Sequence, residues 1–288
     1  MDDQISDTRI SANDIDPWSP NAKEAWKEIN EQNMKAEEDE EAANKFDLFA
    51  YKIDEATKIC ARTTNVWHLE ADTIPNTVLK YVLADNPKET PINFVRVGIG
   101  ANVAIENFFK EKVSPKSDFF GADPSYMVNA PLYESIGTFF PFAIGNSTGR
   151  TEAVVRIASD RKKTQTVDHI GIDTFFKRLV GKNVIDYLFF EGEGSEYDMM
   201  AHLGKNGTLE QAGIAICQMN IEYHRPKHLN DPRKRTFKKH VSKFIKDGKY
   251  VLLNVNNVGN LRLFWINVSS MVCVKRYLER LFANDVVF

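Results

Sequence analysis

From Pro91 onward the chain alternates short apolar strands with helices of about ten residues, and that alternation excludes most architectures. Strands are read at Asn93–Ile99, Ser117–Ala122, Thr138–Ile144, Glu152–Ile157, Val184–Phe190 and Gly213–Tyr223. Helices fall between them at Val103–Lys112, Ser125–Ser135, Asp173–Val180 and Ser195–Leu203. Crossover helices of this length join parallel strands, so the expected fold is α/β, with a mostly parallel sheet covered on both faces. A basic helix over Phe237–Lys246 and two consecutive strands, Tyr250–Val255 and Leu261–Val268, precede a last helix over Met271–Phe282. Consecutive strands at this point imply an antiparallel edge.

The segment before Pro91 has a different character. Residues 1–47 carry fourteen acidic against five basic residues, so the rest of a chain of net charge −3 is net basic. Residues 1–45 read as an acidic tail with helical turns around Ala22–Ala43, and its partner, if it has one, is open. Residues 46–90 read as a helical extension: Phe46, Phe49, Ala50, Ile53, Ala56 and Ile59 recur at helical spacing over Phe46–Cys60. Residues 91–288 form the α/β domain. No apolar run approaches the roughly 18 residues of a membrane span, and the opening Met1-Asp2-Asp3-Gln4 is no signal peptide. Cys60, Cys217 and Cys273 are odd in number and widely spaced, which suggests neither a metal site nor a disulfide framework. Sequons begin at Asn146, Asn206 and Asn267, but without a secretory signal they carry little weight. The expected setting is cytoplasmic and reducing.

Four segments carry chemistry. The turn Gly98-Ile99-Gly100-Ala101-Asn102 follows the first strand, where small residues let the backbone approach a ligand. Asp123-Pro124 ends the second strand about twenty residues on, a spacing that suits a carboxylate bonding ribose hydroxyls; Asp123 equally suits a helix N-cap before proline. The strand Asp186–Phe190 runs into an acidic turn with Glu191 and Glu193. Beyond Cys217, period two places Gln218, Asn220, Glu222 and His224 on one face and Cys217, Met219, Ile221 and Tyr223 on the other. Such a polar face either borders a cleft or forms a satisfied internal network. The basic stretch Arg225–Lys249 lacks aromatic residues in a stacking pattern, so it reads as a solvated helix, and nucleic acid is not the expected partner.

Together these segments resemble the FkbM-type methyltransferase family, nematode branch, over roughly Pro91 to His224. Gly98–Asn102 is similar to an acidic-x-Gly-Ala-Asn motif, with Gly98 in place of the acid (Arg96 in an alternative alignment). Asp123-Pro124, Ala143-Ile144-Gly145 with Gly149, and Ile172-Asp173-Thr174-Phe175 match further family segments. Phe190-Glu191-Gly192-Glu193-Gly194-Ser195-Glu196 resembles Ile-Asp-x-Glu-Gly-x-Glu, with Glu191 for Asp. Glu222-Tyr223-His224 resembles the closing Glu-x-His, and Arg262-Leu263-Phe264-Trp265-Ile266-Asn267 matches more loosely.

The resemblance implies a class I methyltransferase (Rossmann-like) fold with a seven-stranded sheet and S-adenosylmethionine over the carboxyl ends of its first strands. It implies methyl transfer, typically to a hydroxyl oxygen, here of a small hydroxylated or carbohydrate-like acceptor. Gly98, Gly100, Ala101, Asn102 and Asp123 would hold the cofactor; Glu191, Glu193 and His224 would line the acceptor side, with His224 as base and no metal. A catalytically decayed binding module is the alternative, and the missing strand-one acid is its support.

Overall fold

The computed structural model describes residues 46–63, 69, 71–158, 161–225 and 233–279. The helical turns expected within 1–45, and the end of the helix expected to reach Phe282, lie outside the described residues. Helix α1 (Phe46–Thr63) is followed by a small ribbon, β1 (Asp72–Thr73) and β2 (Lys80–Tyr81), and then by β3 (Asn93–Val97), α2 (Ala104–Lys112), β4 (Asp118–Ala122), α3 (Tyr126–Tyr133) and β5 (Thr138–Phe140). Next come β6 (Ala143–Gly145), β7 (Gly149–Arg156), β8 (Lys162–Gly171), the single turn α4 (Ile172–Thr174) and a π-helical stretch, Phe175–Val180. The second half runs β9 (Val184–Phe190), α5 (Glu196–Leu203), α6 (Thr208–Gln211), β10 (Ala215–Tyr223), α7 (Arg233–Asp247), β11 (Tyr250–Asn256), β12 (Leu261–Asn267) and α8 (Met271–Tyr277).

The main sheet has seven strands in the order β11-β12-β10-β9-β3-β4-β5. All are parallel in direction except β12, which pairs antiparallel with both β10 and β11. This is the class I methyltransferase arrangement, and the expected antiparallel strand lies one place in from the edge, with β11 outside it. Strand order reverses between β3 and β9. Their carboxyl ends therefore open a crevice that no crossover connection covers.

Alternate side chains of the central strands feed two apolar layers. Val95, Val97, Leu188 and Phe190 pack with α1, α5 and α7, while Phe94, Tyr187 and Phe189 pack with α2 and α8. Helix α1 closes the first layer: Phe46 and Phe49 lie 4.8 and 5.7 Å from the ring of Phe237 on α7. Fully burying one such side chain contributes about 1.5–3 kcal/mol.

Two local differences from the sequence reading have physical causes. The strand expected over Thr138–Ile144 is two, β5 in the main sheet and β6 in a second, three-stranded sheet ordered β6-β8-β7. Pro141, which has no N–H to give a ladder, marks the break. Strand β8 was not expected, because Lys162–Thr166 is polar and exposed and shows no apolar alternation.

The cysteines require a correction. Cys217 and Cys273 form a disulfide across 56 residues of sequence, and both are wholly buried. Cys217 departs from the period-two pattern, joining the layer of Tyr187 and Phe189 rather than that of Met219 and Ile221. That departure brings it to α8, an approach invisible in sequence spacing.

Candidate active site

The crevice at the switch point continues into a cavity of about 840 Å³, within the roughly 300–1,000 Å³ typical of small-molecule sites. Its floor is the turn after β3. Gly98 has φ +82°, and a Cβ there would lie 2.1 Å from the carbonyl oxygen of Glu191. Only glycine fits, so the absence of the strand-one acid has a steric reason. Gly100, at φ +65°, has nothing within 4 Å of the place a Cβ would take.

Buried polar side chains pin this floor. Asp123, at the end of β4, accepts bonds from Ile99 N (2.9 Å) and Gly100 N (3.1 Å) on Oδ2, and from Ser125 N (2.7 Å) on Oδ1. Asn129 Oδ1 accepts from Ala101 N at 2.8 Å and holds that residue at φ +63°. Asn102 Oδ1 accepts from Ala104 N at 2.9 Å and so opens α2. Beneath the floor, Arg96 Nη1 donates to Asn102 O (2.8 Å) and pairs with the wholly buried Glu106 (3.0 Å).

The second wall is built by side chains beyond β9 and β10. Glu196, the first residue of α5 and wholly buried, accepts from Gly194 N (2.8 Å) on Oε2. Its Oε1 accepts from His224 N (2.7 Å) and lies 3.1 Å from His224 Nδ1. That pair leaves His224 Nε2 toward Glu193 Oε2 at 3.7 Å and Glu222 Oε1 at 3.9 Å, both on the cavity wall. Burial pulls the His224 pKa down, but the bond to Glu196 and the charges of Glu196, Glu193 and Glu222 outweigh it, and the net shift is upward. Glu222 is fixed by its cross-strand partner Arg262 at 2.6 Å. Burial, with Glu222 nearby, holds the Glu191 carboxyl above its ordinary range despite Arg96.

The small sheet roofs the crevice. Glu152, Arg156, Lys162 and Thr164 of β7 and β8 line the cavity, and Lys162 pairs with Glu193 at 2.9 Å. Glu193 has φ +50°. Of the four non-glycine residues in the left-handed region among the described residues, two, Ala101 and Glu193, sit on the neighbouring turns after β3 and β9 that border the cavity. Such strain, of order 1–3 kcal/mol each, collects where a ligand is handled.

Of the residues expected from sequence, Gly98, Gly100, Asn102, Asp123, Glu191, Glu193 and His224 all line this one cavity, and Ala101 belongs to its floor turn. Sequence reasoning assigned no role to Asn129, Glu196 or Arg262. Glu196 stood within the quoted acidic motif, and its place at a helix start was the available signal. Among the described residues, no cluster of three or more His, Cys, Asp or Glu is arranged to hold a metal ion.

The Methyltransferase FkbM domain profile matches residues 42–252. An uncharacterized Caenorhabditis elegans protein, C28H8.7, is 30% identical over 108 residues, which is 36% of this chain and 35% of that protein, so the likeness covers about a third of each. Among solved structures, Aeropyrum pernix fibrillarin with bound S-adenosyl-L-methionine is 9% identical, covering 62% of this chain and 68% of its own, at a TM-score of 0.37. An Aquifex aeolicus SAM-dependent methyltransferase is 12% identical, covering 62% and 82%, at 0.33.

Proposed function

Because the chain belongs to the FkbM methyltransferase family, whose members use S-adenosylmethionine, we propose that it methylates a hydroxyl oxygen of a small, hydroxylated or carbohydrate-like acceptor, with His224 as the base. The observation that carries this reading is the Glu196–His224 pair, which ties Nδ1 to a buried carboxylate at 3.1 Å and leaves Nε2 on the cavity wall. In the neutral ring Nδ1–H then donates to Glu196 and Nε2 keeps a lone pair, the form needed to take a hydroxyl proton.

The residues fit the cofactor on two counts. The floor at Gly100 is open where a side chain would stand, and the adjoining wall beyond β9 and β10 carries Glu191, Glu193 and Glu222, which suit a cationic ligand. When bound, S-adenosylmethionine supplies an electrophilic methyl group on a sulfonium. The chain aligns the acceptor with it, and alignment is most of what a one-step displacement requires. Gly98, Gly100, Ala101 and Asn102 form the cofactor floor. Asp123 has three of its roughly four lone-pair sites occupied by backbone amides and offers the last to ribose. Glu191 follows strand β9 beside Gly98, its Cβ 3.1 Å from where a Cβ at 98 would stand. It thereby brings a carboxyl next to the place of the missing strand-one acid. Glu193 and His224 face the acceptor.

The test is methyl transfer from tritiated S-adenosylmethionine to parallel panels of polyols, sugars, phenols and amines. Label in an alkali-stable ether of a hydroxylated acceptor, lost in His224→Gln, is the expected result. Label on amines, or turnover unchanged in His224→Gln, would overturn the reading.

A further inference from the structure

The Cys217–Cys273 bridge joins the middle of the sheet to α8, and both residues are wholly buried. Structural disulfides of this kind form and persist in oxidising compartments and are rare where glutathione and thioredoxin keep thiols reduced. The three sequons bear on the same question, because N-linked glycans are added only in the secretory pathway. A glycan also needs an asparagine that the folded surface leaves open.

The structure separates the three. Asn267 is wholly buried; its Nδ2 donates to Ile216 O at 3.0 Å, and its Oδ1 accepts from Ser269 N and Ser270 N at 3.0 and 2.9 Å. A glycan there would undo the start of α8. Asn146 is exposed, but its Oδ1 is bonded to His202 Nε2 at 2.9 Å. Asn206 is exposed at the tip of the turn between α5 and α6, with φ +62°. Its side chain makes no hydrogen bond among the described residues, and only its backbone is tied down, through Glu210 and Gln211. Thr208, the first residue of α6, completes the sequon with its hydroxyl 2.8 Å from His202 Nδ1, and neither Asn206 nor Thr208 lines the active-site cavity.

We propose that this chain matures in an oxidising compartment of the secretory pathway, where Cys217 and Cys273 are joined and Asn206 carries an N-linked glycan. This runs against the cytoplasmic, reducing setting expected from the acidic opening residues, the lack of an apolar span and the cysteine spacing; a covalent bond across the core bears on the compartment more directly than cysteine spacing does. Joining the thiols releases two protons and two electrons. The electrons pass to the disulfide of a dithiol oxidoreductase, which leaves as its dithiol. In glycan addition, Asn206 Nδ2 bonds to the anomeric carbon of a lipid-pyrophosphate-linked oligosaccharide. The anomeric C–O bond breaks, the lipid pyrophosphate leaves, and the amide proton goes to a base of the transferase.

The experiment takes the full chain from the cells that make it, blocked with an alkylating agent before any reductant is added. A non-reducing peptide map should show the Cys217 and Cys273 peptides linked. Glycosidase treatment in oxygen-18 water should place the heavy label at position 206 and not at 267. Asn206→Gln should lose one glycan's worth of mass and keep both the bridge and S-adenosylmethionine binding. Cysteines recovered alkylated as free thiols would overturn the compartment, and position 206 recovered without label would overturn the glycan site.

Discussion

The polar face of β10 does two different jobs along its length. In its first half, Gln218 bonds the backbone N–H and carbonyl of Val82, both at 2.8 Å, and Asn220 bonds those of Lys80 at 3.2 and 2.8 Å. The two amides mimic a neighbouring strand and hold the segment at β2 against the sheet. At its end and just beyond, Glu222 and His224 leave the packed layer for the cavity, and ions dominate their partners: Arg262, Glu196 and Glu193, with the Asn260 amide also donating to Glu222 Oε1. Amides, which offer donor and acceptor without charge, suit the place where a backbone must be satisfied away from water. Ionisable groups suit the place where a proton has to move. One uninterrupted alternation from Gln218 to His224 therefore contains both of the alternatives that its sequence left open.

That division can be broken experimentally. His224→Gln should lower turnover by about 10²–10⁴-fold, the usual worth of a general base, with little change in the denaturation midpoint. A large loss of stability instead would place His224 with the structural half. Gln218→Leu should do the reverse: it strands the Val82 N–H and costs about 1–3 kcal/mol in urea titration, with turnover per folded molecule unchanged. Val82 O is spared because Tyr187 also donates to it at 2.7 Å. Glu196→Gln probes the ionic half. Only neutral His224 can accept a proton, so the wild-type rate should fall as pH drops through a pKa above the ordinary histidine value. With the bond and charge of Glu196 gone, that acid limb should move to lower pH; a limb that stays in place would remove His224 as its source. The smallest effect is expected for Lys162→Ala. The Lys162–Glu193 pair is half exposed, and such pairs are worth about 0–1 kcal/mol.

Much of this was legible in the chain itself. The helix-strand alternation gave the sheet, and small residues at 98, 100 and 101 marked the floor because their lack of bulk is itself the signal. Glu193 and His224 could be named because they stand in segments that resemble family motifs, beyond the carboxyl ends of strands, where ligands bind in open α/β sheets. What stayed hidden depends on contacts between distant segments. Glu196 reads as an ordinary first-turn helix acid, and only the fold brings His224, 28 residues on, to its carboxylate. Asn129 reads as one polar residue in a short helix, although it fixes the strained Ala101. The Cys217–Cys273 bridge depends on a local break in the alternation of β10, and β8 on pairing between exposed polar residues. Neither leaves a periodic trace.

In the proposed reaction the turn after β3, pinned by Asp123, receives S-adenosylmethionine while the cluster around His224 serves the acceptor. Calorimetric titration of S-adenosylmethionine into the wild type, Asp123→Ala and His224→Gln tests it most directly. Binding to the wild type is expected, with at least about tenfold weaker binding to Asp123→Ala, a loss of ~1.4 kcal/mol or more, and unchanged binding to His224→Gln. No binding to the wild type, or equal affinity in the wild type and Asp123→Ala, would contradict it.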